Sequence, residues 1–366
     1  IGLSMSVRRA RNSGIPAWIG LAFLLPVFNL LAIAALCALP TQQTPQAPQP
    51  RPAPAHSGIM MSAVAAIGLS ALFGTAVVAA SVLLLGEYGL ALFVAGPVVM
   101  GAIGGWHINS VQYRGYRAGI LVGLVSSIAC CGIVVLLALE GIVCLAMVAP
   151  LAIGTTMMGA CLGTAIAHGA SGPGPVGAMA FMLPIIGITE TSAPVPLPQF
   201  QVVSSIHIDA APEEVWPNVI GFSELPPASD WVLSTGIATP MRARIEGEGV
   251  GAIRYCEFTT GPFVEPITTW EPPLRLAFDV TSQPPAMHEW SPWEEVYAPH
   301  IEDTMLSRRG EFLLTATPDG GTLVQGTTWY TLDLAPASYW RLWSDFIVHR
   351  IHNRVLGHIK TLSESA

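Results

Sequence analysis

Arg254, Cys256 and Phe258 recur at every second residue of a strand-like run, so they share one strand face. Glu265 and Ile267 share a face on the next run. An arginine turned inward requires a carboxylate, and Glu265 supplies it if the two runs pair across Gly261–Pro262. Such a pair either holds the sheet together or clamps a ligand, and the first is the simpler reading. Cys256 has no identifiable base beside it, which argues against a nucleophilic thiol. His358 falls on the apolar face of the closing helical segment. There it either touches a ligand and exchanges protons near neutral pH, or is satisfied by a hydrogen-bonding neighbour such as Tyr330 or Glu311. Asp345, His349 and His352 share the opposite face. Their spacing suits a metal or a proton-sensitive contact, against the simpler reading of a solvated polar face.

Other groupings carry less. Gly247, Gly249 and Gly251 loosely resemble a phosphate loop, but a strand and not a helix follows, so a hairpin turn is expected. His288, Glu289, Glu294, Glu295 and His300 are metal-ligand residue types without a helical zinc spacing, so no metal is expected there. Met287, Trp290, Trp293 and Tyr297 in the same loop read as a lid over a cavity. No cofactor motif is present in these runs.

The elements that position these residues follow from periodicity. Phe200–Asp209 alternates as a strand, and Ala211–Val219 reads as a short helix with Pro212 in its first turn. Strand-like runs follow at Met241–Glu248, Ala252–Thr259, Phe263–Trp270, Arg275–Thr281, Ser307–Thr317 and Thr322–Leu334. A long helix from Pro336 to about Ser363 closes the chain. At about 100° per residue, its apolar stripe holds Trp340, Ile347, Ile351, Val355 and Leu362, flanked by Trp343 and Ile359.

Composition divides the chain in two. Residues 190–366 hold 22 acidic and 10 basic side chains, while residues 1–189 hold 2 acidic and 6 basic. The net charge of −8 averages these unlike halves. An acidic polar half excludes a nucleic-acid partner, which needs a basic face. Five of the six cysteines lie in apolar runs, so neither a disulfide framework nor a metal spacing follows.

Ala17–Leu39, Ile59–Leu85, Leu90–Ile108, Ala118–Leu139 and Ile142–Ala167 are each long and apolar enough to cross a bilayer as helices. Val176–Thr189 is shorter and contains Pro184, so it reads as a short sixth span or an interfacial helix. Pro40–Ser57 reads as an extended tether, and the proline-rich Glu190–Gln199 as a stiff linker. The expected organisation is a first span with a basic entry (1–39), a Pro/Gln-rich linker (40–58), a transmembrane helical bundle (59–189), a Pro-rich linker (190–200) and a polar domain (201–366). Glycines at four-residue spacing (Gly101 and Gly105; Gly115, Gly119 and Gly123; Gly159 and Gly163) let helices approach closely. Packing within one bundle is the simpler use, and a homo-oligomer through these small-residue faces is the alternative. The charges sit at turns and not mid-span, so anchoring is expected and transport is not. Arg8, Arg9 and Arg11 balance Arg51, Arg114 and Arg117, which leaves orientation tied. The expected location is an integral protein of a bacterial inner membrane, with the C-terminal domain cytoplasmic.

Strand, short helix, six strands, long helix: over Gln201–Leu362 this order resembles the START-like superfamily, the helix-grip (SRPBCC) group that includes polyketide cyclases and lipid-transfer domains. The resemblance rests on Ile206-His207-Ile208-Asp209-Ala210-Ala211-Pro212-Glu213-Glu214-Val215-Trp216, on Gly320-Gly321-Thr322, and on the closing helix. It implies an α+β helix-grip domain, a curved antiparallel sheet around a long helix with a cavity between them, fused to an α-helical transmembrane bundle. It also implies a hydrophobic or amphipathic ligand, with lipid as one class. Candidate cavity residues are Arg254, Cys256, Phe258, Glu265, Trp340, Trp343, Ile347, Ile351 and His358. The expected partners are the lipid bilayer and a hydrophobic small molecule. The alternatives are a cyclase- or aromatase-like enzyme, which requires Arg254, Glu265 and His358 around one cavity, and a membrane scaffold recruiting a protein.

Overall fold

The computed structural model describes residues 56–110, 112–169, 173–192, 196–228, 230–294, 296 and 298–365. The first span expected at Ala17–Leu39 and most of the tether after it lie outside the described residues, as do Arg8, Arg9, Arg11 and Arg51 of the orientation count. The described residues form two compact units, the apolar helices and the polar C-terminal part.

In the first unit α1 (His56–Ala79) continues through a wider π-helical stretch, Ala80–Leu85. A second π-helical stretch, Ala91–Ala95, leads into α2 (Gly96–Ser110). Then follow α3 (Tyr116–Leu136), α4 (Ile142–Gly169) and α5 (Gly174–Ser192). Among the described residues, 5 helices are long and apolar enough to cross a membrane, which is compatible with an integral membrane protein. The last is longer than the sequence reading allows. Its 19 residues run through Pro184 and include Glu190. Glu190 therefore belongs to a helix and not to the linker. Its carboxylate accepts the Leu90 and Ala91 amides at 2.7 and 3.2 Å, where the second apolar helix begins and its N–H groups lack partners.

Glycine spacing brings two backbones into contact. A Cβ at Gly101 would lie 2.0 Å from the Thr156 carbonyl oxygen, and one at Gly105 2.2 Å from that of Ala160. The fit is reciprocal: a Cβ at Gly159 would lie 1.9 Å from the Val98 oxygen, and one at Gly163 2.0 Å from that of Ala102. These positions serve packing of α2 on α4 within the bundle. Gly119 of α3 faces the same helix, where a Cβ would meet the Thr164 hydroxyl at 2.3 Å. Gly115 does not join this series. It precedes α3 at φ 84°, and a Cβ there would have nothing within 4 Å.

The second unit opens with β1 (Gln199–Ile208) and α6 (Pro212–Ile220). A meander of β2 (Pro240–Glu246), β3 (Ile253–Phe258), β4 (Gly261–Glu271), β5 (Arg275–Asp279), β6 (Met305–Ala316) and β7 (Thr322–Leu332) follows, with the four-residue α7 (His300–Asp303) before β6. The strands form one antiparallel seven-stranded sheet of order β1-β7-β6-β5-β4-β3-β2. The closing α8 (Ala337–Glu364) packs on β1, β7 and α6. This arrangement is consistent with a helix-grip fold.

The two short motifs meet in space. Ile208, Val215 and Trp216 are buried in the main core with Val324, Leu356 and Ile359. Thr322 donates to the Ala210 carbonyl at 2.7 Å. A Cβ on Gly321 would stand 2.7 Å from the Ile208 oxygen, so this close approach needs glycine. The last turn of α8 is fastened to the same corner. Glu364 accepts the Asp209 amide at 2.8 Å, and Lys360 donates to the His207 carbonyl at 2.8 Å. The glycines between β2 and β3 have φ of 90°, 82° and 92° at Gly247, Gly249 and Gly251, which makes that segment a hairpin turn.

Candidate functional site

A cavity of about 170 Å³ lies between α8 and the sheet. Phe258, Phe263, Phe278 and Phe312 supply its apolar wall from the strands. Ile347, Ile351 and Val355 supply it from the helix, and Pro284–Ala286 from the loop after β5. Gln283 anchors that loop by donating to the Met305 carbonyl and accepting the Ser307 amide, both at 2.8 Å.

Arg254 and Glu265 sit opposite each other on β3 and β4 and form an ion pair inside this wall. Arg254 is 2% exposed and Glu265 6%. Arg254 also donates from Nε to the Ile220 carbonyl at 3.1 Å. Its guanidinium lies 5.3 Å from the Phe278 ring centre and 5.7 Å from those of Phe222 and Phe312. Burial raises the Glu265 carboxyl, while the adjacent guanidinium pulls the other way. Breaking such a pair strands a charge, so it acts as one unit. Cys256 lines the cavity beside it, and burial pushes its thiol up to about 12. At neutral pH it is a small apolar group and no nucleophile.

The structure thus brings Arg254, Cys256, Phe258, Glu265, Ile347 and Ile351 to one cavity, and leaves Trp340, Trp343 and His358 out of its lining. The reason is reach: the cavity touches α8 only between Ile347 and Leu356. Trp340 is buried nearer the start of the helix, and Trp343 makes an edge contact with Phe346 at 6.4 Å. His358 faces neither Tyr330 nor Glu311. Its Nε2 lies 3.2 Å from the Ser223 carbonyl oxygen, and its ring meets the Phe222 ring edge-on at 6.1 Å.

The expected polar face of α8 is also corrected. Buried residues of the helix are Trp340, Ser344, Val348, Val355, Leu356, Ile359 and Ser363. That face is rotated by roughly 60° from the stripe drawn through the largest apolar residues. His352 therefore turns into the cavity lining. Its Nε2 lies 2.8 Å from Thr328 Oγ1, and its Nδ1 3.1 Å from Ser204 Oγ. Ser204 Oγ also lies 2.7 Å from His349 Nδ1. Asp345 accepts the Tyr330 hydroxyl at 2.6 Å and Arg341 Nε at 3.1 Å, so it joins no cluster with the histidines. Ser204 had a readable signal: it is a polar residue at an inward position of an alternating strand.

In the long loop, Glu295 and Tyr297 lie outside the described residues. His288, Glu289, Glu294 and His300 do not line the cavity. The loop contributes Pro284–Ala286 in place of the expected lid residues: Trp290 and Trp293 are exposed, and Met287 is buried beside Ile237. A second arginine, Arg309, lines the cavity with Glu311, to which it donates at 2.9 Å. Glu311 also accepts Arg275 at 2.8 Å.

No protein-family model matches the sequence, and no curated protein matches it. Among solved structures, a norcoclaurine synthase point mutant from Thalictrum flavum in complex with a transition-state analogue is similar at 10% identity, with 47% of this chain and 98% of that one covered and a TM-score of 0.31. The di-domain ARO/CYC protein BexL of the BE-7585A biosynthetic pathway is similar at 14% identity, covering 54% of this chain and 63% of that one, with a TM-score of 0.31. The Aha1 dimer from Colwellia psychrerythraea is similar at 14% identity, covering 44% and 96%, with a TM-score of 0.26.

Proposed function

We propose that this chain is a membrane-anchored binding protein whose C-terminal domain takes up one small amphipathic molecule. The observation that carries the reading is the cavity of about 170 Å³ between α8 and the sheet, walled by phenylalanines and isoleucines and edged by polar groups. Concave, mostly apolar spaces with a few placed polar groups are what small ligands occupy. A cavity of this size takes about one aromatic ring. A two-chain lipid is several times larger, so the ligand is a ring-sized amphiphile and not a whole lipid. The five apolar helices supply the anchor and put the domain beside a reservoir of apolar solutes. The same reading keeps this domain on the cytoplasmic side, which reporter fusions after Leu362 check. Among enzyme readings, a cyclase that needs Arg254, Glu265 and His358 together loses His358 to a backbone contact.

Native mass spectrometry of the purified full chain, with equilibrium dialysis against 4-nitrophenol, tests the proposal. Wild type should retain a small molecule or take up the phenol. Ile351→Trp, which fills the cavity, should abolish uptake without lowering the thermal midpoint. Uptake equal in both proteins would sink the reading.

A further inference from the structure

Four side chains form an unbroken hydrogen-bonded line from the cavity to the domain surface. Thr328 Oγ1, on the cavity wall, lies 2.8 Å from His352 Nε2. His352 Nδ1 lies 3.1 Å from Ser204 Oγ, which in turn lies 2.7 Å from His349 Nδ1. His349 is exposed on α8. The line crosses three elements: the consecutive β7 and α8, and β1, whose Ser204 lies 145 and 148 residues before the two histidines.

Every member both donates and accepts, since hydroxyls and neutral imidazoles carry both functions. The line therefore has two self-consistent states. In one, Thr328 donates to His352 Nε2, His352 Nδ1–H donates to Ser204, and Ser204 donates to His349 Nδ1. In the other, each of these bonds is reversed. No carboxylate lies in the line to trap a proton as an ion pair. The charged groups facing the cavity from the sheet are engaged with one another: Arg254 on β3 with Glu265 on β4, and Arg309 with Glu311 on β6. On its own helix His352 faces His349. Desolvation, and then the charge of His349, lowers His352 to about 4. It is thus neutral near neutral pH and does not store a proton. A neutral imidazole still passes one, gaining it at one nitrogen as it loses another from the second.

We propose that Thr328, His352, Ser204 and His349 are a proton relay, and that the cavity's ligand is a weak acid of the phenol or enol type that exchanges its proton with water while bound. This rests on the binding reading above. The steps balance. The ligand O–H bond breaks and its proton joins Thr328 Oγ1, whose own proton moves to His352 Nε2. The Nδ1 proton of His352 passes to Ser204, the Ser204 proton passes to His349 Nδ1, and the Nε2 proton of His349 leaves to water. One proton enters the line and one leaves, with no redox change, and the ligand remains as its oxyanion. The reverse sequence reprotonates it.

The probe is 4-nitrophenol, a one-ring weak acid that absorbs visible light as its phenolate. The full chain in detergent micelles is loaded with it and its pH is jumped in a stopped-flow instrument. The cavity-filled Ile351→Trp protein subtracts uptake by the micelle. In wild type the bound phenol should change protonation faster than it dissociates. Ser204→Ala and the surface variant His349→Phe should each lose that fast phase, keep their affinity for the phenol, and retain only the slow phase set by dissociation. A fast phase kept in both variants overturns the relay and leaves the binding reading standing. No cavity-specific uptake by wild type overturns the binding reading and the ligand class with it.

Discussion

The two units differ in how most of their buried polar groups are satisfied. In the apolar helices the hydroxyls turn back on their own backbone. Ser126 donates to the Val122 carbonyl at 2.7 Å, and Thr164 to that of Ala160 at 2.8 Å. Each has a partner within one turn, and the bonds between helices are few: Asn109 donates to Thr164 at 3.2 Å and Ser127 to Thr156 at 3.3 Å. In the C-terminal domain the polar groups reach across elements: Arg254 to Glu265, Tyr330 to Asp345, Ser204 to two histidines. The same contrast holds for space. The helices close on each other until a methyl group would strike backbone, whereas sheet and helix stand apart and enclose a void. In the C-terminal domain the polar groups that depend on a distant partner also stand beside an empty volume.

Removing one member of a dependent pair should therefore have the largest effect. Glu265→Ala leaves Arg254 buried and unpaired, and should cost about 3–5 kcal/mol in a thermal or denaturant melt of the full chain. Replacing both, with Arg254→Met and Glu265→Leu, should recover most of that loss. A double variant as unstable as the single one would erase the distinction drawn here. Next comes the helix contact. Gly159→Val drives a side chain into the Val98 carbonyl and should cost about 1–3 kcal/mol or more, read as a lower melting point in detergent. Gly132→Val, a site with nothing within 4 Å, is its control and should be nearly silent.

A pH effect follows from His352, which is lowered to about 4 against 6.5 in an open chain. Above pH 6.5 both folded and unfolded forms are neutral there, and no stability depends on it. As pH falls from 6.5 toward 4 the unfolded chain binds a proton that the folded one refuses, so stability is lost over that interval. The loss should be about 3 kcal/mol, and His352→Gln should flatten it in melts taken across the same pH range. Smallest is the thiol: Cys256 should resist alkylation at neutral pH until the domain unfolds, which mass mapping reads directly.

The strand pattern was legible almost residue by residue. Alternation and the turn residues between runs located the six strands of the meander within a few residues, although β5 buries Leu276, Ala277 and Phe278 in succession. The Arg254–Glu265 pairing was legible for the same reason, since a short turn fixes register. The orientation of α8 was less so. A wheel weighted by large apolar residues takes in Ser344 but misses the side of the buried face that holds Ser363 and a histidine satisfied from β1 and β7. His358 was misplaced because the Pro-rich segment after α6 lies against the helix there, with Arg354 donating to the Pro226 carbonyl at 2.7 Å and Ser223 beside the ring. Contacts of that range have no local signature. Glu190 was misread because a charge beside prolines reads as solvated linker, while its partners are 100 and 99 residues away.

One bare position in β7 has a further consequence. Gly326 borders the void, and a methyl group there would meet Phe312 at 3.6 Å and Leu356 at 3.9 Å, which is ordinary contact. Nothing in the backbone forbids alanine, so hydrogen at this spot acts as a gauge. In the proposed binding role it sets how wide a guest the chamber admits, and Gly326→Ala should narrow that range while leaving the walls where they are.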